Sequence, residues 1–529
     1  MENITTTQKL VRKPAEPKAP PQYDGADLIF VCIIPVLGFL FIKLVAASAL
    51  AQPYPGAGVT AYTLCFIAVV LAWFRRSGGA DLRAAWPGLV AMLLTGGYFA
   101  IYQNAVLGYL ALPLLIGTAA YTVVALGGRR AGKTGDDYLV FDLYGALCSI
   151  PFGNFGKLFA ICGDRLKKVK KSRSILMMLL GVVAALPVAI YVGTQLQSAD
   201  AAFEMVWQSF VRRFFSDDLL VTLLQIAVSI PVGMYLYGLI YGSVKHRGEP
   251  HLSSEEAAGT TDKAKILPLY LVIGGITPLL ALYLMFFFSQ TAYFLSAFRG
   301  ILPLGLNYSE YARRGFFELC NVCVINLLVA AVLNLLTKDS RAGAVSRVYG
   351  CLLALSSLAL IAISLSKMLM YISIYGLTPL RVYTSWFMVF LFLLFAMLIV
   401  RLFKPGFPFF KYGACCCLAM FLLLGYADTD RLIAEYNLEA YRTGKVAGLD
   451  VDQLRELGGG GVGCLLSIAA DESMPEEYKR QAGQILYAKV CEAECRKEYK
   501  RDDWRGASIA GYREHRLLME NKDVILRAN

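Results

Sequence analysis

The sequence predicts an all-α fold: a polytopic helical membrane bundle of about eleven transmembrane helices, followed by a small helical C-terminal domain. Three observations lead there. Of 529 residues, 57% are apolar and only 17% charged, against roughly 25% charged in an ordinary soluble domain. Mean hydropathy is +0.54. The apolar residues also come in long blocks, each near the 20 or so residues that one helix needs to cross a bilayer core. These values exclude an ordinary soluble protein.

Every backbone amide in lipid must be satisfied within its own element, so each block reads as a helix. Eleven blocks qualify, near residues 28–50, 58–74, 86–102, 105–127, 174–196, 218–242, 266–290, 317–337, 347–366, 382–402 and 412–426. The stretch 138–163 is apolar enough for a re-entrant or surface helix. The first 26 residues hold Lys9, Arg12, Lys13 and Lys18 among several prolines and lack the small-residue cleavage site of a signal peptide. They read as a disordered cytoplasmic extension. The multi-span domain is expected over 27–426 and the helical domain over 427–529.

Basic residues mark the cytoplasmic side of a multi-span protein. With the N-terminus inside, the cytoplasmic segments hold 27 Lys and Arg and the outward segments before the tail hold seven. An odd number of spans then puts the C-terminus outside. The net charge of +12 is accordingly a topology signal. The cluster Arg165 to Arg173 suits anionic lipid, and nucleic-acid binding is not expected.

The tail after Tyr426 carries 16 basic and 19 acidic residues with helical periodicity. Helices are expected at Asp430 to Thr443, Asp450 to Leu457, Pro475 to about Lys500, and Ala507 to Asn521. Gly458 to Gly461 reads as a flexible break.

Several motifs need weighing. Gly127 to Thr134 satisfies the phosphate-loop pattern GxxxxGK[ST], but a membrane span precedes it where the motif needs a strand, so a charged loop end is the better reading. Most of the thirteen cysteines lie in or beside spans, where they act as small hydrophobes. The only histidines are His246, His251 and His515, so no metal site and no cofactor are expected. Cys464, Cys491 and Cys495 leave room for one disulfide at most.

The sharper signals stand at the outer membrane boundary. Tyr308, Glu310, Tyr311, Arg313, Arg314 and Glu318 lead into the eighth expected span, with Glu310, Arg314 and Glu318 on one helix face, and Asn321 follows. Lys367, Tyr371 and Tyr375 repeat every four residues before the turn at Gly376 and Pro379, and Arg381 follows. Charged groups at such depth are functional candidates. Both groups fall on one side, where they could line an outward cavity for an anionic or lipid-linked ligand. Interfacial anchoring is the competing explanation.

Those segments also carry a resemblance. Tyr308-Ser-Glu-Tyr-Ala-Arg-Arg-Gly-Phe-Phe-Glu-Leu319, Lys367 to Thr378, Leu380-Arg-Val-Tyr383, Ser198 to Phe203, Gln290 to Tyr293 and Asp430 to Leu438 resemble an uncharacterised family of bacterial polytopic membrane proteins, domain of unknown function 4173 or the related 4153. The resemblance covers roughly residues 175–445. It implies a bacterial plasma-membrane location and no defined activity. Where the family pattern has Arg before Met, this chain has Lys367, which removes a bidentate guanidinium.

Three functions follow as expectations. Transport or binding of an anionic or lipid-linked envelope ligand is favoured. A membrane scaffold or sensor would present the outer C-terminal domain to a protein partner. An envelope enzyme acting on a lipid-linked substrate would need an acid or base from Glu310 or Glu318, and it is disfavoured because no nucleophile and base constellation is recognisable.

Overall fold

The computed structural model describes residues 25–46, 55–131, 137–166, 217–298, 316–338, 343–498 and 503–528, with scattered residues between 178 and 207. Among the described residues, ten helices are long and apolar enough to span a membrane. They are α1 (Gly25–Phe41, continued by a π turn to Ala46), α2 (Ala57–Arg76), α3 (Leu82–Ile101), α4 (Ala105–Leu126) and α5 (Asp217–Lys245). After these come α6 (Leu269–Phe298), α7 (Phe316–Ala331, continued to Leu336), α8 (Gly343–Tyr375), α9 (Pro379–Phe403) and α10 (Phe409–Tyr426). They match ten of the eleven expected spans; the other, 174–196, falls largely outside the described residues, as does the N-terminal extension up to residue 24. The stretch 138–163 forms short helices, Leu139–Tyr144 and Lys157–Leu166 among them, at one end of the bundle.

Why these helices pack is visible at single residues. A Cβ on Gly38 of α1 would lie 2.9 Å from the Gly233 Cα of α5. Two glycines therefore let the backbones touch, the usual way membrane helices gain dispersion contacts without a hydrophobic drive. The outer surfaces stay apolar: Leu284 on α6 is 70% exposed, a surface suited to lipid. In the interior of α6, α7 and α8, Tyr283 donates to Asn326 Oδ1 at 2.6 Å, and Asn326 donates to Ser357 Oγ at 3.0 Å. These polar groups satisfy one another.

The two ends of the bundle are distinct. At one, Lys245 pairs with Asp27 at 2.8 Å, joining the end of α5 to the start of α1. Nearby, Asp137 accepts from Arg401 and from the Phe410 amide, so one carboxylate serves the C-terminus of α9 and the N-terminus of α10. The segment at Gly127 ends α4, with Gly128 at φ 63°; no strand precedes it, which fits a loop end.

The tail docks on the opposite end. Arg505 donates to the Lys43 carbonyl at 2.9 Å, and the Ala57 amide donates to the Ala507 carbonyl at 2.9 Å. The start of α1 and the tail thus lie at opposite ends of the bundle. The tail comprises α11 (Thr429–Arg442), α12 (Val451–Glu456), α13 (Gly458–Ala470), α14 (Glu476–Glu498), α15 (Ile509–Glu520) and α16 (Lys522–Ala528). They surround their own apolar core, with Leu454, Leu457, Val462, Leu465, Ile468 and Val490 fully buried.

One expectation is corrected. Gly458 to Gly461 is no flexible break but the first turn of α13. A Cβ at Gly460 would stand 2.4 Å from the Arg431 Cα, and one at Gly461 would stand 2.1 Å from the Leu454 carbonyl oxygen. The glycines are there because α11 and α12 press against this turn. Cys464, Cys491 and Cys495 are free thiols.

Candidate functional site

The described members of the expected site separate into parts. Tyr308, Glu310, Tyr311, Arg313 and Arg314 lie outside the described residues. Glu318 sits in the first turn of α7 and is exposed, as is Asn321. Lys367 is 8% exposed on α8 and lies within electrostatic reach of Glu318. Tyr371, Tyr375 and Arg381 do come together. The two rings are 5.0 Å apart, and the Arg381 guanidinium lies 4.1 Å from the Tyr371 ring centroid. Arg381 Nη1 donates to the carbonyls of Tyr375 and Gly376 at 3.0 and 2.5 Å. The guanidinium therefore closes the C-terminus of α8, where helix carbonyls lack partners. Gly376 takes φ 75°, the left-handed conformation that ends the helix.

That turn is also gripped from the tail. The Leu377 amide donates to Asn437 Oδ1, Asn437 Nδ2 donates back to the Leu377 carbonyl, and Gln453 Nε2 donates to the same carbonyl. Arg381 holds one side of the turn and α11 with α12 the other.

Beside this joint is a cavity of about 540 Å³ between the bundle and the tail, within the size range of small-molecule sites. The bundle supplies Tyr98, Tyr102, Gln103 and Asn104 from the α3–α4 turn. The tail supplies Asp428, Asp430, Arg431, Gly458 to Gly460, Gly463 and, from α15, Arg513. Asn104 caps α4 through Oδ1, accepting from the Leu107 amide at 3.0 Å. Its amide nitrogen is left to reach Tyr383 Oη at 2.7 Å and Asp430 Oδ1 at 3.2 Å. Tyr98 is 1% exposed, and its hydroxyl has no hydrogen-bond partner among the described residues.

The electrostatics are lopsided at Asp430. Burial pushes its carboxyl up to about 6, the Asp428 charge adds to the rise, the Asn104 amide opposes it, and Glu514 raises it further. Asp428 itself adopts φ 48° and makes no cap bond at the start of α11. Nearby cations are engaged elsewhere, Arg431 with Glu435 at 2.7 Å and Lys489 with Glu514 at 2.8 Å. Burial raises the Cys464 thiol above its ordinary range, so this wall residue is no ready thiolate.

Sequence reasoning did not single out this cavity. Asp430 and Tyr383 stand within segments that carry the resemblance, but Asn104, between two spans, looked like an ordinary cap. The available signal was the pair of acids Asp428 and Asp430 immediately after the last span.

These features define a class: a multi-pass helical membrane protein with a helical tail seated on one end of its bundle. Residues 88–468 match the family model described as Domain of unknown function (DUF4153). The chain belongs to that family, the second of the two that the sequence resembles. The match takes in the α3–α4 turn, α11 and most of α13, whereas α15 lies beyond it. Neither curated proteins nor solved structures give a match.

Proposed function

We propose that the protein captures a small polar ligand at the extracytoplasmic end of its bundle, in the cavity closed by the tail. The observation that carries this reading is the cavity of about 540 Å³ itself, whose wall holds the Asp430 carboxylate and the Asn104 amide where the bundle meets the tail. The excess of basic residues at the other end of the bundle supports the orientation, and the family resemblance supports a bacterial plasma membrane.

Binding has more support than conduction or catalysis. Tyr283, Asn326 and Ser357 in the interior of α6, α7 and α8 are bonded to one another, and the cavity thiol is held protonated by its burial. The expected basic lining for an anionic ligand comprises Arg313, Arg314, Lys367 and Arg381; the first two lie outside the described residues, Lys367 is buried on α8 near Glu318, and Arg381 already donates to helix carbonyls. In this reading Lys367, Tyr371, Tyr375 and Arg381 set the joint on which the tail sits.

Gly463 provides the test. It lines the cavity, and a Cβ there would meet nothing within 4 Å, so Gly463→Phe adds a bulky ring at the wall from a position where the first side-chain atom has room. Native mass spectrometry of the protein in lipid nanodiscs should show a small-molecule adduct on the wild type that Gly463→Phe lacks. Identical spectra from two equally folded proteins would overturn the reading.

A further inference from the structure

We infer that the ligand carries an ammonium group that pairs with Asp430; the inference rests on the cavity reading above and names its chemistry. Asp430 lines the cavity and receives one hydrogen bond, from the neutral Asn104 amide. The charged side chains acting on it are Asp428 and Glu514, both acids. The cations on the surrounding helices do not compensate it: Arg431 is turned to Glu435, Lys489 to Glu514, and Arg513, though in the same wall, is not among the charges acting on Asp430.

A half-buried carboxylate among like charges is held at a cost unless a cation joins it. The remaining wall suits an organic cation better than a metal ion. Among the described residues no group of three or more metal-ligating side chains exists. The neighbours of Asp430 are instead phenols: Tyr98 and Tyr102, which stack at 5.9 Å, line the same cavity, and Tyr383 shares Asn104 with the carboxylate. Phenol oxygens accept from an ammonium N–H, and ring faces attract its charge. The same ammonium chemistry occurs in a free amine and in an aminated lipid headgroup.

The sign of the pH dependence follows. An ammonium pairs with ionised Asp430, so affinity should be flat above pH 6 and fall up to tenfold per pH unit below it. A neutral ligand accepting a proton from Asp430 would show the reverse.

The full chain in nanodiscs of phosphatidylglycerol, a lipid without an ammonium group, should be titrated with ethanolamine, phosphoethanolamine, glycine and inorganic phosphate. Binding is read by calorimetry and by the unfolding temperature between pH 5 and 8. Ammonium-bearing probes should bind the wild type with the stated pH profile and fail to bind Gly463→Phe. In Asp430→Asn the affinity should drop at least tenfold and lose its pH dependence. A further arm with phosphatidylethanolamine in the nanodisc separates the sources: competition with free phosphoethanolamine assigns the site to a lipid headgroup, and its absence to a free amine.

Phosphate binding in place of ethanolamine, affinity that rises as pH falls, or no binding of any ammonium probe would overturn the assignment. If the wild type then still carries an adduct that Gly463→Phe lacks, the cavity reading stands and only the ammonium fails. Should Asp430→Asn not fold, the wild-type pH profile decides alone.

Discussion

Asn437 and Leu377 hold each other in both directions. The Leu377 amide donates to Asn437 Oδ1 at 2.7 Å, and Asn437 Nδ2 donates to the Leu377 carbonyl at 2.7 Å. A single side-chain amide thus acts as a partner strand for the turn between α8 and α9. It makes the tail and the bundle one mechanical unit, with the cavity at their junction.

Asn437→Asp keeps the acceptor and loses the donor, and Asn437→Ala loses both. Asn437 is 8% exposed, so the alanine variant should cost about 1–3 kcal/mol in tail docking. Limited proteolysis at the α10–α11 junction should be faster in Asn437→Ala than in the wild type. Unchanged cleavage would mean the joint lies elsewhere.

The glycines of α13 should respond with opposite signs. Gly460→Ala and Gly461→Ala drive a methyl into neighbouring backbone, a clash expected to cost about 1–3 kcal/mol. Gly463→Ala meets open space and removes helix-destabilising freedom, so it should stabilise by about 0.5–1 kcal/mol. Thermal unfolding of the three variants in the same detergent checks the ordering.

Asp430 sets a pH dependence of stability. Its carboxyl stands at about 6 in the fold against an ordinary 3.8, so the native state holds the proton more tightly than the unfolded chain. Stability attributable to this group is complete below pH 4 and lost as pH rises through 6, a loss of about 3 kcal/mol for a shift near two units. Asp430→Asn should therefore unfold at a higher temperature than the wild type at pH 8 and differ little at pH 4. A flat wild-type profile in the ligand-free protein would contradict this.

Gly38 measures the α1–α5 contact. Gly38→Leu must separate two backbones that a Cβ would meet at 2.9 Å, so the yield of monodisperse protein should collapse. Gly117, where a Cβ meets nothing within 4 Å, should tolerate the same change.

The topology has its own check. Reporter fusions at Lys245, Arg381 and Asn529 should score cytoplasmic, extracytoplasmic and extracytoplasmic. A cytoplasmic result at Asn529 would reverse the side on which the cavity opens.

The sequence by itself determined the membrane class, the ten described spans and four of the tail helices. These depend on local sums: each span reaches its insertion energy from its own 20 or so residues, and charge asymmetry accumulates loop by loop. The start of α13 was misread for the same reason, because a glycine run is locally a helix breaker and only the press of α11 and α12 makes it a helix. The cavity belonged wholly to the tertiary structure. Asn104 and Asp430 are 326 positions apart, and whether a half-buried acid has a cation beside it depends on which distant helices fold back against it. Periodicity could show that Arg431 lies four residues before Glu435, but not that this pairing leaves Asp430 in the company of acids and phenols.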